Sequence, residues 1–487
     1  MQNIINGYSF DFYGWYKGGI TMVNGKSVVL IGLQYGDEGK ARVLDKIMGK
    51  TDIVARFNGG ANAGHTLEVG DKKIALHQVP SGIFHDNMVL YMGSGCVINP
   101  LKLNKEVSDI ESLGIKLKGR LRLSAKITLV QPHHVLLDSV HGGKIGTTKN
   151  GIGPAYSDQA ARAHGENLRN LRLGDYAADP KKGLSIVLQN LKDTVKMYEL
   201  DADPASLASE FDKEVRMIIG FCEKDPMYLE KQVRTGKNVF FEGAQSTMLD
   251  VVYGNVPFVT SSRTMAGAAY VGGDLSSKHH VKTVAVAKAI MSRVGNGPFI
   301  SEFGGKKSED YCAEDGGFAH MKESELAEHD QKKLLVSDDP FELGIALRMM
   351  GGEYGASTKR PRRLGILDLV MLRQNCMMNA VDELYINKFD CLVDFKKTKL
   401  PGIPVVTAYE LDGNTIDYIP STVDECYRAK PVVEYLPFIK DDLTKIRDKK
   451  DLPKEVFDVI RYIEDKVGTK MGGIGVGPER DQFVMLI

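Results

Sequence analysis

Short apolar runs alternate along this chain with longer segments of helical periodicity. The first run, residues 27–33, reads SVVLIGL and leads through a glycine-bearing loop into a helical pattern. Similar runs follow at DIVARF, NMVLYMG, NVFFEGAQ, VKTVAVAKAI and ELYINKFD. Buried strands that alternate with helices form mostly parallel sheets covered on both faces. We therefore predict an α/β fold with a large, mostly parallel central sheet flanked by helices.

Charge and cysteine usage exclude several classes of protein. Among the 487 residues, Lys plus Arg and Asp plus Glu balance at 63 each, so no overall cationic excess favours nucleic acid or an anionic membrane. The chain has no apolar run near the roughly 20 residues of a spanning helix, and its start lacks the layout of a secretory signal. The six cysteines form no CxxC pair. We expect a reduced, cytoplasmic protein without nucleic-acid or membrane partners.

The chain is predicted to form one large domain. Residues 1–26 are interpreted as an N-terminal extension and residues 27–487 as the domain. A single core typically holds about 150 residues, but large α/β enzymes often exceed that size without splitting. From about 303 to 352 the sequence turns polar and acidic, with KKSEDYCAEDGG and KESELAEHDQKK. We predict a surface insertion or lid there.

The loop after the first run carries the strongest local signal for a ligand. Residues 34–40, QYGDEGK, lie between a predicted strand and a predicted helix, where backbone N–H groups and the helix dipole favour anionic oxygens. The Walker A spacing is absent, and Asp37 and Glu38 stand where that loop carries neutral residues. These carboxylates suit a magnesium ligand or a general base, although an acidic turn that caps a helix has the same composition.

A second glycine-rich segment, RFNGGANAGHT at residues 56–66, follows the next apolar run. Asn62 and His65 are predicted to project from a loop whose backbone can approach a ligand closely. An imidazole can donate a proton or a hydrogen bond to a developing oxyanion at neutral pH. A single histidine is more often structural, but the flanking glycines disfavour a packed-core position for His65.

Two further segments offer neutral hydrogen-bonding groups. Residues 145–162, IGTTKNGIGPAYSDQAAR, contain two threonines and several glycines that can bind a phosphate group or form a plain turn. Gln245 and Thr260 lie near the ends of apolar runs, where polar side chains need a partner or a ligand. Both segments are candidates for substrate contacts.

Two charged segments point to acidic ligands and to guanine. Residues 355–363, GASTKRPRR, place four cationic side chains beside small hydroxyl residues. Arginine binds carboxylates and phosphates through paired hydrogen bonds, so this segment suits an acidic substrate, with a solvated surface as the alternative. Residues 387–390, NKFD, follow a strand-like run. The Asp of such a motif accepts hydrogen bonds from N1–H and the exocyclic amine of guanine, a donor pair that adenine lacks, which favours GTP over ATP.

Taken in this order, the six segments resemble the adenylosuccinate synthetase family, from about Ser27 to the C-terminus. The resemblance implies a single α/β unit similar to P-loop NTPases, with insertions, that uses Mg²⁺ and forms a homodimer. It also implies an enzyme of purine nucleotide biosynthesis that ligates L-aspartate to IMP at the expense of GTP. In the implied reaction GTP phosphorylates the 6-oxygen of IMP, and the aspartate amine then displaces phosphate to give adenylosuccinate.

The resemblance implies roles for individual residues. Asp37 would be the base that removes the N1 proton of IMP and would bind Mg²⁺ together with the carbonyl of Gly64. His65 would be the acid beside the transferring phosphoryl group, and Gln245 would be the third catalytic residue. Arg162 would be supplied to the 5′-phosphate of IMP by the neighbouring subunit of the dimer.

Three ligand sets follow from the same resemblance. The residues implied for IMP are Asn62, Thr148, Arg162, Gln245, Thr260 and Arg360. The residues implied for aspartate are Ser357, Thr358, Arg360 and Arg362. The residues implied for GTP are Gly36, Glu38, Gly39, Lys40, Arg362, Lys388, Asp390, Gly477 and Pro478.

The chain departs from the family pattern at three places. Ala41 and Arg42 replace a Gly-Lys pair, Lys149 and Asn150 replace a Gly-Arg pair, and Lys359 replaces a glycine. The first change is expected to add bulk beside the phosphate loop, and the second removes one arginine near IMP.

Two alternative functions are considered. One is a family variant that ligates aspartate to another purine nucleotide such as (d)GMP, and the other is a non-catalytic nucleotide-binding regulator. A family offshoot with the first activity lacks the carboxylate that this chain carries at Asp37. The second alternative is disfavoured because both Asp37 and His65 are present.

Overall fold

The computed structural model describes residues 25–62, 64–69, 72–141, 149–164, 167–313, 320–355 and 359–487. The predicted extension, residues 1–26, lies almost wholly outside the described residues. The strands of the described chain are β1 Ser27–Gly32, β2 Ile53–Arg56, β3 His65–Val69, β4 Lys72–Leu76, β5 Val89–Met92, β6 Val97–Ile98, β7 Leu121–Ser124, β8 Thr128–Leu129, β9 Ala163–His164, β10 Asn167–Leu168, β11 Cys222–Glu223, β12 Val239–Glu242, β13 His280–Lys288, β14 Met291–Arg293, β15 Arg363–Gly365, β16 Leu367–Asp368, β17 Glu383–Asn387, β18 Ile403–Leu411, β19 Asn414–Ile416, β20 Lys430–Leu436, β21 Lys470–Gly475 and β22 Phe483–Met485.

The helices surround these strands along the chain. They are α1 Lys40–Ile47, α2 Pro100–Ser112, α3 Pro132–His141, α4 Ile152–Ala161, α5 Leu173–Ala178, α6 Pro180–Met197, α7 Pro204–Ile218, α8 Tyr228–Arg234, α9 Ala268–Gly272, α10 Gly305–Cys312, α11 Lys322–Glu328, α12 Gln331–Leu335, α13 Pro340–Gly351, α14 Leu369–Met378, α15 Val423–Arg428 and α16 Lys454–Val467.

A 10-stranded sheet forms the centre of the molecule. Its strand order is β11-β7-β5-β2-β12-β1-β13-β17-β21-β22, and every neighbouring pair is parallel except β21 with β22. The predicted mostly parallel sheet is therefore confirmed. Because β12, β1, β13 and β17 are adjacent and parallel, the loops that follow them meet at one edge of the sheet.

Both faces of the central strands are buried, as their apolar sequences require. Val29 and Ile31 face one cluster of core residues, and Leu30 packs with Val54 and Val284 in a second cluster on the other face. Such burial on both sides explains why these runs are continuously apolar instead of alternating.

Several helices begin with the same local signal. An Asn or Asp side chain accepts a hydrogen bond from a backbone N–H of the first turn, and proline occupies the first helical position, where no donor is needed. The pairs are Asn99-Pro100 before α2, Asp179-Pro180 before α6, Asp203-Pro204 before α7 and Asp339-Pro340 before α13.

The predicted insertion is only partly a surface feature. Helix α10 is predominantly polar, in keeping with the acidic composition of this stretch. Helix α13, however, buries Leu343, Ala346 and Leu347 in the main core. The sequence analysis missed this apolar helix because the residues before it are polar. In the structure α13, the last part of the segment, belongs to the core.

Within the described part of the chain, no helix combines the length and the apolar character needed to cross a bilayer.

Candidate active site

The loop between β1 and α1 is folded around a buried carboxylate. Glu38 Oε1 accepts hydrogen bonds from the backbone N–H of Gly36 at 2.9 Å and of Gln34 at 3.2 Å, and from Ser246 Oγ at 2.5 Å. Its Oε2 lies 2.9 Å from Lys40 Nζ. Burial raises the pKa of Glu38, but Lys40 and Ser246 outweigh burial and hold the pKa below its ordinary value.

These contacts give Glu38 and Lys40 an inward orientation. Both side chains are almost completely buried, at 0% and 3% exposure. Glu38 therefore shapes the loop, and only its backbone is left to contact a nucleotide. The neighbouring Asp37 adopts a φ of 57° and points outward, with 44% of its side chain exposed.

Asp37 joins this loop to the arginine-rich segment. Its Oδ2 lies 2.5 Å from Nη2 of Arg362, whose side chain is 13% exposed. Two segments that lie far apart in the sequence are thus in direct contact. The ion pair uses Oδ2 of Asp37.

Behind Arg362 lies a buried carboxylate that the sequence analysis missed. Glu353 contacts Arg362 Nη1 at 3.0 Å, Lys388 Nζ at 2.7 Å, Lys288 Nζ at 3.3 Å and Ser292 Oγ at 2.8 Å. We call these five residues the Glu353 cluster. A signal for Lys288 was present in the sequence, since a charged residue ends the otherwise apolar run VAVAK.

The NKFD segment also reaches the first loop. Asn387 Nδ2 donates a 2.6 Å hydrogen bond to the carbonyl of Glu38, and a Cβ on Gly39 would lie 2.7 Å from the same nitrogen. Gly39 has a φ of 83°, so both its conformation and this close approach require glycine. Burial raises the pKa of Asp390, which lies in the first turn of the 3₁₀ helix Phe389–Lys397.

The C-terminal segment is attached to α1 by Arg42. Its Nη1 donates to the carbonyl of Gly477 at 2.7 Å and its Nη2 to that of Gln482 at 2.7 Å, with a further contact to the carbonyl of Glu479. The sequence predicted that Arg42 would add bulk beside the phosphate loop. The structure differs, because the Arg42 side chain does not crowd that loop. Its side chain turns towards the segment that contains Gly477 and Pro478.

Gln245 and Asn62 carry buried polar atoms without a hydrogen-bond partner among the described residues. Both amide atoms of Gln245, and Oδ1 of Asn62, are buried and have no hydrogen-bond partner among the described residues. Leaving such a group unpaired costs about 1–3 kcal/mol, so a ligand or water is expected there. Gln245 adopts a φ of 55° directly before Ser246, the partner of Glu38, which places it beside the first loop.

Three further predicted residues, Arg162, Thr260 and Arg360, lie on separate segments of the chain. Arg162 is exposed after α4 with a φ of 67°, and Thr260 donates its backbone N–H to Leu249 at 2.9 Å. The carbonyl of Arg360 accepts a 2.9 Å hydrogen bond from Gly355 N–H. The remaining predictions concern Thr148, Ser357 and Thr358, which lie outside the described residues, and His65, whose side chain does too.

A second group of metal-ligating residue types lies between α3 and α4. His133 Nε2 and His134 Nε2 are 3.0 Å and 3.1 Å from Asp158 Oδ2, and Arg169 Nε lies 3.3 Å from the same oxygen. We call these four residues the Asp158 cluster. The backbone N–H of Gln131 donates to His134 Nδ1, so the proton of the neutral His134 ring is on Nε2. That proton and the positive charge of Arg169 disfavour a metal cation in the Asp158 cluster.

Comparison with known proteins shows the family of this chain. Residues 29–484 match the family model of adenylosuccinate synthetase. The chain is 42% identical to adenylosuccinate synthetase 2 of Cupriavidus pinatubonensis over 94% of its length and 97% of the relative, and 36% identical to adenylosuccinate synthetase of Salinibacter ruber over the same shares. It resembles fully ligated adenylosuccinate synthetase from Plasmodium falciparum with a TM-score of 0.80 and 30% identity, covering 95% of this chain and 100% of that one.

A more distant structure shares only the fold. Succinoaminodeoxyadenylate synthetase of cyanophage S-2L, bound to dGMP and dATP, has a TM-score of 0.56 and 15% identity over 95% of both chains. The resemblance seen in the sequence is confirmed by the family model, the relatives and the fold together. The chain therefore belongs to the adenylosuccinate synthetase family of enzymes, which implies GTP-dependent ligation of aspartate to IMP in AMP biosynthesis.

Proposed function

We propose that this chain ligates L-aspartate to IMP through a 6-phosphoryl-IMP intermediate, with Asp37 as the base. The observation that carries the proposal is the contact of Asp37 with Arg362 at the mouth of the loop between β1 and α1. It puts an exposed carboxylate beside a guanidinium suited to an acidic substrate. The buried amide of Gln245, unpaired among the described residues, supports a polar ligand close by.

In the first step Asp37 takes the proton from N1 of IMP. The 6-oxygen then attacks the γ-phosphorus of GTP, the new O–P bond forms, and the bond to the β-phosphate oxygen breaks to release GDP. His65 donates a hydrogen bond to the transferring phosphoryl group. Backbone N–H groups of Gly39 and Lys40 at the start of α1 suit the β- and γ-phosphate oxygens. Gly36 lies in the same loop, but its N–H already donates to Glu38 Oε1.

In the second step the aspartate amine attacks C6, phosphate leaves with the former 6-oxygen, and the amine loses its proton. Ser357, Thr358 and Arg360 hold the aspartate together with Arg362. Arg362 contacts Asp37, the residue proposed to approach N1 of the purine ring. This contact supports Arg362 as the aspartate ligand nearest C6, where the amine attacks.

Asp390 is proposed to select guanine. Its carboxylate accepts the two donors of the guanine edge, while Lys388, Gly477 and Pro478 contact the base. Arg42 supports this arrangement because its guanidinium binds the carbonyl of Gly477.

Mg²⁺ fits the outer side of the first loop. The exposed carboxylate of Asp37 is a hard oxygen ligand, and Gly64, the second proposed ligand, is exposed. When bound there, the ion would neutralise charge on the transferring phosphoryl group.

IMP is proposed to lie against Asn62, Gln245, Thr148, Thr260 and Arg360. Arg162 is proposed to reach the 5′-phosphate of IMP in the other subunit of a homodimer. Its exposure after α4 supports a contact with a second molecule.

The experiment that tests this function offers IMP or dGMP, each with GTP or ATP, to the purified chain with aspartate and Mg²⁺. We expect adenylosuccinate and phosphate only with IMP, and the highest kcat/KM with GTP. A product formed from dGMP in preference to IMP would reassign the substrate. A complete lack of phosphate release would indicate a non-catalytic nucleotide-binding protein.

A further inference from the structure

Glu353 lies at the junction between α13 and the arginine-rich segment. The helix ends at Gly351, Gly352 follows with a φ of 62°, and Glu353 is the next residue. Its side chain is only 2% exposed and contacts Lys288, the last residue of β13. The proposed mechanism gives Glu353 no role, although a buried carboxylate needs strong compensation for the loss of water.

The two carboxylate oxygens of Glu353 divide their partners. Oε1 lies 2.7 Å from Lys388 Nζ. Oε2 lies 3.0 Å from Arg362 Nη1 and accepts a 2.8 Å hydrogen bond from Ser292 Oγ. One side chain therefore contacts two residues proposed for different ligands, Lys388 for GTP and Arg362 for aspartate.

Positive charge dominates around Glu353. Lys288 Nζ lies 3.3 Å from Oε2 on a side chain that is 2% exposed, and Arg362 is 13% exposed. Burial raises the pKa of Glu353, but Lys288, Lys388 and Arg362 outweigh burial and hold the pKa well below its ordinary value. The carboxylate is therefore ionised at neutral pH and separates three cations that would otherwise repel one another.

We propose that Glu353 is a positioning residue that fixes Arg362 and Lys388 relative to each other and so couples the aspartate end of the site to the nucleotide end. This inference rests on the proposed function, which assigns ligands to those two residues. Without the negative charge, the Arg362 side chain loses this ion pair and retains its contact with Asp37, and Lys388 retains the carbonyl of Gly351. Both cations would then be displaced from the positions in which they meet their ligands.

A matched control lies at the opposite end of β13. Glu230 faces Arg234 Nε at 2.9 Å, His279 Nε2 at 3.1 Å and Lys278 Nζ at 3.9 Å. It is also a carboxylate with three basic partners, but it lies at the amino end of the strand, whereas Lys288 lies at the carboxyl end. A change at Glu230 tests the loss of a buried charge without touching the proposed ligand residues.

The test compares E353Q, E353D and E230Q with the unmodified full-length chain. Steady-state kinetics with saturating IMP give kcat and the KM values for GTP and aspartate. Calorimetric titration with GDP gives the affinity for nucleotide without turnover, and thermal melting reports folding.

For E353Q we expect both KM values and the Kd for GDP to rise about tenfold, the scale of one charge-assisted hydrogen bond, while kcat changes less than about threefold. E353D keeps the charge on a side chain one methylene shorter, so we expect rises of about threefold in the same constants. E230Q should match the unmodified chain in all four constants. Equal melting losses in E353Q and E230Q would leave this kinetic contrast as evidence for positioning.

Three results would overturn the inference: an unchanged KM for either GTP or aspartate in E353Q, a fall in kcat alone, or the same kinetic changes in E230Q. If E353Q does not fold, E353D decides, and unchanged KM values there reject the proposal. Failure of the proposed function is a separate outcome, because the unmodified chain would then form no adenylosuccinate. The GDP titration still decides in that case, since an unaltered Kd in E353Q would show that Glu353 does not position Lys388.

Discussion

Two buried carboxylates, Asp158 and Glu353, each face three basic side chains, and the geometry of those partners differs. Around Asp158, His133 Nε2, His134 Nε2 and Arg169 Nε converge on one oxygen, at 3.0 Å, 3.1 Å and 3.3 Å. Around Glu353 the basic partners are Arg362, Lys288 and Lys388, and they are divided between both oxygens. The first arrangement saturates a single acceptor, and the second distributes one negative charge over several cations.

The two clusters also differ in what they reach. The Asp158 cluster joins α3 to α4, and its imidazoles are buried and neutral. The Glu353 cluster continues through Arg362 to Asp37, whose carboxylate is 44% exposed. Strongly shifted pKa values occur in both, so a shift alone does not identify a functional site. A connection to a group that a ligand can touch is what separates the two.

The largest expected difference between the clusters is catalytic. Asp37→Asn should lower kcat by about 10³-fold or more, because an amide cannot take the N1 proton, while the Kd for GDP stays within about threefold. His133→Gln in the Asp158 cluster should leave kcat within about twofold. Phosphate release with IMP, GTP, aspartate and Mg²⁺ measures both. An Asp37→Asn enzyme within tenfold of normal turnover would remove Asp37 from the role of base.

The Asp158 cluster should instead reveal itself through the pH dependence of stability. Burial, with the neighbouring His134, lowers the pKa of His133 to about 3. The folded state thus resists a proton that the unfolded chain accepts below about pH 6.5, so stability present above that pH is lost as the pH falls. Between pH 7 and pH 5 this residue alone should lower the free energy of unfolding by about 2 kcal/mol.

His133→Gln should remove that share of the pH dependence, as measured by denaturant unfolding at the two pH values. His141→Gln, at the exposed end of the same helix α3, is the matched variant and should retain it. Equal pH dependence in His133→Gln and the unmodified chain would show that the imidazole is not held neutral by the fold.

Arg42 extends the comparison to a cation whose side-chain hydrogen bonds, among the described residues, go to backbone carbonyls. Arg42→Met removes its hydrogen bonds to Gly477 and Gln482, so the KM for GTP should rise about tenfold with little change in kcat. Arg480→Met breaks an ion pair between Asp45 and the Arg480 side chain, which is 47% exposed. This variant should change the KM for GTP less than twofold. Similar effects from both variants would mean that the C-terminal segment is not held chiefly by Arg42.

The sequence predicted the parts of the site that follow directly from local pattern. A buried run followed by glycines defines the loop after β1, and parallel strands bring that loop to the same edge as NKFD. The orientation of Glu38 could not be predicted, because it depends on Ser246, 208 residues away. Glu353 carried no signal, since a carboxylate in the sequence GGEYG resembles any surface turn.

The smallest predicted effect separates contact from helix stability. Asp339 caps α13, the helix that leads to Glu353, and Asp179 caps α6 in the same way. Replacing either by alanine should lower the free energy of unfolding by about 1 kcal/mol, measured by denaturant unfolding, with no change in the KM for GTP or aspartate. If Asp339→Ala raised both KM values as E353Q is expected to do, loosening of α13 would explain that result. Unchanged values would leave the ion pairs of Glu353 as the reason that Arg362 and Lys388 are held in place.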